Sequence, residues 1–140
     1  MKKKSTAVIG MLVCFMMIAS MAWALNIPGV PNGTVTDGTL VWLQNAECFG
    51  RRNWNDATSA AASLKSGSCG LTDGSKAGQW RLPTKDELER RTQNKRYACW
   101  SSSTWADDTT LAWVVILDPD FVEVSYKDNL FHVCPVRAGQ

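Results

Sequence analysis

The chain has few side chains of the kinds that carry out chemistry. Its 140 residues include one histidine, His132, and no two cysteines in the C-x-x-C spacing of many zinc and redox sites. The strings H-E-x-x-H and G-x-S-x-G are also absent. Calcium needs a dense set of oxygen ligands, and the sequence contains no organised acidic cluster. We therefore expect no catalytic residue, no metal site and no cofactor.

A long apolar run occurs only near the N-terminus. Ala7–Met21 follows three lysines and is too short for a comfortable membrane span. An A-x-A string then ends at Ala24, which predicts a signal peptide over residues 1–24, with an uncleaved anchor as the alternative. We expect a bacterial protein that is periplasmic, secreted or held at the cell surface, with no membrane span after cleavage.

The mature chain has no excess of positive charge. The sequence holds 15 Lys and Arg against 13 Asp and Glu, and cleavage removes three lysines, leaving 12 against 13. This balance argues against a nucleic-acid partner. We expect an extracellular or envelope ligand, which could be a glycan, a polyanion or a protein. A local basic run is either a solvated helix face or a patch for polyanions such as sulfated glycans; it comprises Arg90, Arg91, Lys95 and Arg96.

Four cysteines remain after cleavage, an even number that predicts two disulfides in an exported protein. Three connectivities are possible. We favour Cys48–Cys69, which brackets a predicted helix, and Cys99–Cys134, which would tie a central strand to the last one. The alternative is free or metal-binding thiols.

The first half of the mature chain predicts a hairpin and two helices. After an extended lead-in over residues 25–33, Asp37-Gly38 supplies the tight turn of a hairpin over Val35–Trp42, and Gln44–Arg52 is loop. Asn53 or Asn55 caps a helix that runs to about Ser66, with Gly67 at its C-terminal cap. A capping box opens a second helix at Lys85; its residues are Thr84 and Glu87.

The C-terminal half changes to the period of strands. Leu111–Leu117 is apolar throughout, as in a strand buried on both faces. Short strands joined by tight turns predict an antiparallel meander, so the fold class is α+β. The predicted segments are a turn at Asp118-Pro119-Asp120, a strand over Phe121–Tyr126, a turn at Lys127-Asp128-Asn129 and a last strand over Leu130–Val136.

Several strings between Thr34 and Arg137 follow one another in a recognisable order: Val41–Ala46, Cys48–Gly50, Leu71–Ser75, Trp80–Thr84, Trp100–Ser102, Ala112-Trp113 and Pro135–Arg137. In these strings the chain resembles the Lcl C-terminal domain family, the C-terminal module of a collagen-like bacterial adhesin and formerly a domain of unknown function. The resemblance implies a domain over residues 34–140 with a C-type lectin-like fold. Such a fold packs two helices on short twisted antiparallel sheets, is stapled here by disulfides, and brings the first and last strands together.

The resemblance also implies a place for the ligand. In relatives of this fold that retroelements diversify, the ligand face lies between the W-S-S string and the C-terminus. Carried over by position, the candidate ligand face consists of Trp105, Ser125, Lys127, Asn129 and His132. Trp105 is the best candidate for stacking against a sugar. A lone histidine beside Cys134 is more often structural.

The tryptophans and arginines of the matching strings are expected to be scaffold. Tryptophans there belong in the core, with a sugar-stacking platform as the alternative. Arginines there grip an internal carboxylate or backbone carbonyls, with a ligand carboxylate as the alternative. Proline keeps the preceding residue out of the helix. The residues of this structural motif are Trp80, Arg81, Pro83, Trp100, Trp113 and Arg137.

Taken together, these features predict an exported, non-catalytic binding or adhesion module. One alternative is a structural subunit of a cell-envelope assembly. Another is a degenerate enzyme of the formylglycine-generating type, a class that uses a cysteine pair.

Overall fold

Eight strands and two helices lie along the described part of the chain, which in this computed structural model comprises residues 31–91, 97–117 and 120–139. The predicted signal peptide, most of the lead-in and the Asp118-Pro119 part of the predicted turn lie outside these residues. The elements are β1 Thr34–Asp37, β2 Leu40–Leu43, β3 Arg51–Arg52, α1 Trp54–Ser63, α2 Lys85–Arg90, β4 Ala98–Thr104, β5 Leu111–Leu117, β6 Asp120–Tyr126, β7 Phe131–His132 and β8 Val136–Ala138.

The chain begins and ends in a three-stranded sheet of order β1-β2-β8. The predicted hairpin is confirmed, but Asp37 pairs with Leu40, so the two-residue turn is Gly38-Thr39 rather than Asp37-Gly38. Of these two turn residues only Gly38 has a positive φ, of 62°, which a glycine adopts easily because it has no Cβ to clash. Pairing of β2 with β8 places the first and last strands in one sheet, as expected, with β2 between them.

The second sheet has five strands in the order β3-β7-β4-β5-β6. Strands β5 and β6 pair antiparallel as predicted, but the third strand beside them is β4, which pairs with β5, and not the segment after Tyr126. The chain then crosses to the other side of the sheet, where β7 pairs antiparallel with β3 and parallel with β4. The prediction of loop throughout Gln44–Arg52 is therefore wrong at Arg51–Arg52, which forms β3.

The predicted last strand over Leu130–Val136 is also wrong, because it is divided between the two sheets. β7 belongs to the five-stranded sheet, and β8 to the three-stranded one. Between them Pro135 has no N–H to donate to a ladder, although its carbonyl accepts from Leu43 N–H at 3.0 Å. The residues between these strands therefore pass from one sheet to the other.

Helix α1 starts where the sequence predicts. Asn53 is the cap, and its side chain accepts from Asp56 N–H at 2.8 Å. The buried Ala57 and Ala61 let the helix lie close against β4 and β5. The helix ends at Ser63 rather than about Ser66, so Gly67, with its φ of 92°, belongs to the following loop and is not the cap.

Helix α2 has the predicted capping box. Thr84 Oγ accepts from Glu87 N–H at 3.2 Å, and Glu87 Oε2 accepts from Thr84 N–H at 2.8 Å. Pro83 precedes the cap and keeps the chain extended there, and Leu88 is fully buried. The helix ends at Arg90.

Both faces of the five-stranded sheet are covered. Trp100 and Val114 pack toward α1, whereas the neighbouring Cys99 and Val115 pack toward α2 and the three-stranded sheet. Adjacent strand residues point to opposite faces, which explains why an unbroken apolar run suits β5. The two predicted disulfides are present, Cys48–Cys69 and Cys99–Cys134, with Cα–Cα distances of 5.5 and 5.8 Å.

Candidate functional site

Four of the five residues of the candidate ligand face lie at one end of the five-stranded sheet. Trp105 directly follows β4, and its N–H donates to Leu111 O at 3.0 Å. Lys127 directly follows β6, and its N–H donates to Thr110 O at 2.9 Å. Asn129 belongs to the turn after β6, and Ser125 lies within that strand.

The polar side chains at this end bond to one another and to α1. Ser125 Oγ accepts from Asn129 Nδ2 at 2.8 Å and is almost fully buried. Lys127 Nζ lies 4.1 Å from the centre of the Trp54 ring, and Lys127 O accepts from Trp54 N–H at 2.9 Å. These contacts fix the turn to the start of α1, so Ser125 and Lys127 have internal partners.

His132 is not part of this group. It lies on β7 opposite Cys99, at the start of β4, whereas Trp105 follows the end of that strand. A strand rises about 3.3 Å per residue, which places the two positions roughly 20 Å apart. Burial lowers the pKa of His132, whose ring centroid lies 4.7 Å from that of Tyr97. The structure therefore does not bring all five predicted residues together.

The tryptophans of the structural motif differ in depth. Trp80 and Trp100 are buried, and their indole N–H groups donate to Ser75 Oγ and Arg52 O at 2.9 and 2.8 Å. Trp113 is only partly buried, with Lys85 Nζ 5.2 Å from its ring centre. Its predicted core position is thus corrected to the margin of the sheet beside α2.

The two arginines of the motif grip internal carboxylates. Arg81 forms two hydrogen bonds of 2.8 Å to Glu87, and these are the main cause of the lowered pKa of that carboxyl. Arg137 Nη2 lies 3.0 Å from Asp73 Oδ2. Burial raises the pKa of Asp73, but hydrogen bonds from Ser75 and Arg137 outweigh burial and lower it. Both arginines therefore pair with carboxylates of the chain itself.

A cleft of about 340 Å³ opens between the β1–β2 hairpin and the C-terminal end of α2. The sequence did not predict it. We call it the Arg91 cleft, and the residues that line it are Asp37, Gly38, Thr39, Leu40, Trp42, Glu87, Arg90 and Arg91. Its walls come from the β1–β2 hairpin on one side and from α2 and the residue after it on the other.

Arg91 is the unusual residue of this cleft. It is 2% exposed, and its guanidinium lies 4.4 Å from the centre of the Trp42 ring. Within the described part of the chain, its Nε, Nη1 and Nη2 atoms are buried without a hydrogen-bond partner, as is Trp42 Nε1. Burial lowers the pKa of Arg91 to about 10, and the charge of Asp37 opposes that shift. Two sets of unsatisfied donors therefore meet at one cleft.

The position of Arg91 corrects the interpretation of the basic run. Arg91 is neither on a solvated face nor on an open polyanion patch, whereas Arg90 is exposed and its Nε donates to Asp86 O at 3.0 Å. Lys95 and Arg96 lie outside the described residues. The sequence did contain an indication that Arg91 is buried. Arg91 comes three residues after the buried Leu88, so helical spacing places the two residues on the same face.

The remaining chemistry of the described residues is limited. No group of three or more His, Cys, Asp and Glu side chains there could hold a metal ion. All four cysteines outside the predicted signal peptide are bonded in pairs. Among the described helices, none combines the length and apolar character needed to cross a membrane.

Comparison with known proteins assigns the family. Residues 33–137 match the model of the Lcl C-terminal domain. No curated protein matches the chain. The family match spans both sheets, both helices and the Arg91 cleft, and it covers well over half of the sequence. The chain therefore belongs to the Lcl C-terminal domain family.

Proposed function

We propose that the chain is an exported, non-catalytic binding domain with a C-type lectin-like fold, and that it takes its ligand in the Arg91 cleft. The observation that carries this proposal is the buried guanidinium of Arg91, whose N–H groups have no partner among the described residues. Buried donors in folded proteins are almost always satisfied, and a missing partner commonly marks a ligand, ion or water. Adjacent pairing of β2 and β8 supports the lectin-like fold.

The predicted ligand face is the weaker candidate on the same reasoning. Its Ser125, Lys127 and Asn129 side chains make internal contacts, so a ligand there would compete with bonds already formed. Trp105 is partly buried, so only part of its ring is open to stack against a sugar. The Arg91 cleft instead combines concavity with unsatisfied donors, which is the pattern of small-molecule sites.

Two disulfides support the exported location and the absence of thiol chemistry. Disulfides persist in oxidising compartments such as the periplasm and the cell exterior. With Cys48 bonded to Cys69 and Cys99 to Cys134, the mature chain has no thiol for chemistry of the formylglycine-generating type. Titration of the mature protein under non-reducing denaturing conditions should find no free thiol, and two free thiols would contradict the non-catalytic proposal.

A fragment screen followed by nuclear magnetic resonance tests the proposed site. We expect small anionic fragments to shift the Trp42 indole N–H signal and the amides of the β1–β2 hairpin, and Arg91→Gln to abolish these shifts. Arg52→Gln, an exposed arginine away from the cleft, is the matched control and should keep them. Shifts confined to Trp105 and Lys127 would move the site to the predicted ligand face. A protein without hits that assembles into defined oligomers would favour a structural subunit instead.

A further inference from the structure

We infer that the Arg91 cleft binds the carboxylate group of a small organic monoanion. This inference rests on the proposed function, because it names the ligand of the same cleft. It starts from the donor chemistry: a guanidinium and an indole N–H donate hydrogen bonds and accept none. Arg91 and Trp42 therefore both lack an acceptor, and a ligand that satisfies them must bring oxygen atoms.

The shape of the guanidinium favours a carboxylate. Its N–H groups form a planar fork that matches two carboxylate oxygens, and such charge-assisted pairs are among the strongest hydrogen bonds in proteins. The Trp42 ring lies against one face of the Arg91 guanidinium at 4.4 Å. A cation–π contact uses the ring face and none of the guanidinium N–H groups, so these N–H groups stay without an acceptor.

The charges around the cleft favour a single negative charge. The residues that line the cleft include two arginines, Arg90 and Arg91, and two acids, Asp37 and Glu87. Glu87 is already paired with Arg81 by two hydrogen bonds of 2.8 Å. The Arg91 guanidinium has no hydrogen-bonded carboxylate among the described residues, so a single carboxylate from a ligand balances its charge. A dianionic phosphate or a chain of sulfate groups would bring further negative charge toward Asp37.

The size of the cleft favours a small molecule. Its volume of about 340 Å³ lies near the lower limit of ligand sites, roughly 300 Å³. The lining beyond the arginines includes the Thr39 and Leu40 positions of the hairpin, so polar and apolar parts of a ligand both find partners. A sugar acid and an amino-acid carboxylate share this chemistry, and the test below separates them.

Matched pairs of probes test the inference by isothermal titration calorimetry. Galacturonate is compared with neutral galactose, and N-acetylalanine with its amide, because each pair differs only at the charged group. We expect at least one acid to bind about tenfold or more tightly than its neutral match. Binding by galacturonate alone identifies a sugar acid, and binding by N-acetylalanine alone identifies an amino-acid carboxylate.

Three variants separate the role of Arg91 from general effects. Arg91→Gln should weaken binding of the acid at least tenfold, and Arg91→Lys, which keeps the charge but not the fork, should give an intermediate loss. Arg52→Gln should change it less than threefold, because Arg52 is exposed and does not line the cleft. Near-ultraviolet circular dichroism checks that each variant keeps the native packing.

The outcomes distinguish this inference from the proposed function. Equal binding of acid and neutral match, with shifts at the Trp42 indole, would overturn the carboxylate inference and leave the cleft as a binding site. Tighter binding of inorganic phosphate or sulfate than of either acid would overturn the monoanion part. Absence of any shift at the cleft with all probes and with the fragment screen would overturn both.

Discussion

Replacing Arg91 by methionine should stabilise the protein. Burial lowers the pKa of Arg91 from 12.5 to about 10. A shift of this size corresponds to about 3 kcal/mol of unfavourable free energy for the charged form in the folded state. The cation–π contact with Trp42 returns about 1 kcal/mol. Methionine keeps the aliphatic stem without the charge, so we expect a gain of about 2 kcal/mol, as found when buried ions are replaced by apolar side chains.

The pH dependence of this free-energy cost follows from the direction in which the pKa of Arg91 is shifted. The pKa of Arg91 is lower in the folded state than in the unfolded state, so the cost is fully present below about pH 10 and is relieved as pH rises above it. Measurements at pH 7 therefore contain the whole effect.

Urea unfolding without reductant measures the difference in the free energy of unfolding. Arg90→Met is the matched control, because Arg90 is exposed, and its change should stay within about 0.5 kcal/mol. A loss of stability of about 1 kcal/mol or more in Arg91→Met would refute the reasoning, since it would mean that the guanidinium has stabilising partners in the native protein. A gain in stability together with loss of ligand binding would show that Arg91 is kept for function.

Three further predictions concern the scaffold. Replacing Cys99 and Cys134 together by alanine opens a loop with a sequence separation of 35 and should cost about 4 kcal/mol in urea unfolding; a loss below about 1 kcal/mol would contradict it. Thr84→Ala removes half of the capping box and should cost about 1 kcal/mol, whereas the control Thr84→Ser should cost less. Because the pKa of Asp73 is lowered in the folded state, its contribution is present at pH 7 and is lost as pH falls below its unfolded value; Asp73→Asn should therefore flatten stability between pH 5 and about pH 2, and an unchanged slope would count against the Arg137 pair.

Local signals in the sequence predicted the helices well. Asn53 and the Thr84–Glu87 box act through side chains within the same turn, so the cap geometry follows from a few adjacent residues. The end of α1 was predicted less well, because Gly67 is compatible with a cap but packing determines where the last turn stops. The Gly38-Thr39 turn shows the same limit, since a shift of register by one residue uses the same glycine.

Long-range pairing could not be predicted from local pattern. The segment from Leu130 to Val136 has the composition of one strand, yet its two ends pair in different sheets. The candidate ligand face was inferred by position along the chain, and the crossover after β6 carries His132 to the far end of β4. The basic run was interpreted as one surface, although the turn of α2 buries Arg91 and exposes Arg90.

The sequence by itself determined the α+β class and the helix starts, and it favoured the observed disulfide pairs and the pairing of Arg81 and Arg137 with carboxylates of the chain. Each of these features depends on a bond made by a few identifiable side chains, such as a helix cap, a disulfide or an arginine–carboxylate pair. Short sequence motifs are enough to identify those side chains. Only the tertiary structure decided the position of β7 in the sheet. It also decided that Arg91 rather than Arg90 is buried, and that a cleft forms beside Arg91. These features depend on how the hairpin packs against the end of α2, and burial of Arg91 without a partner appears only when both elements are in place.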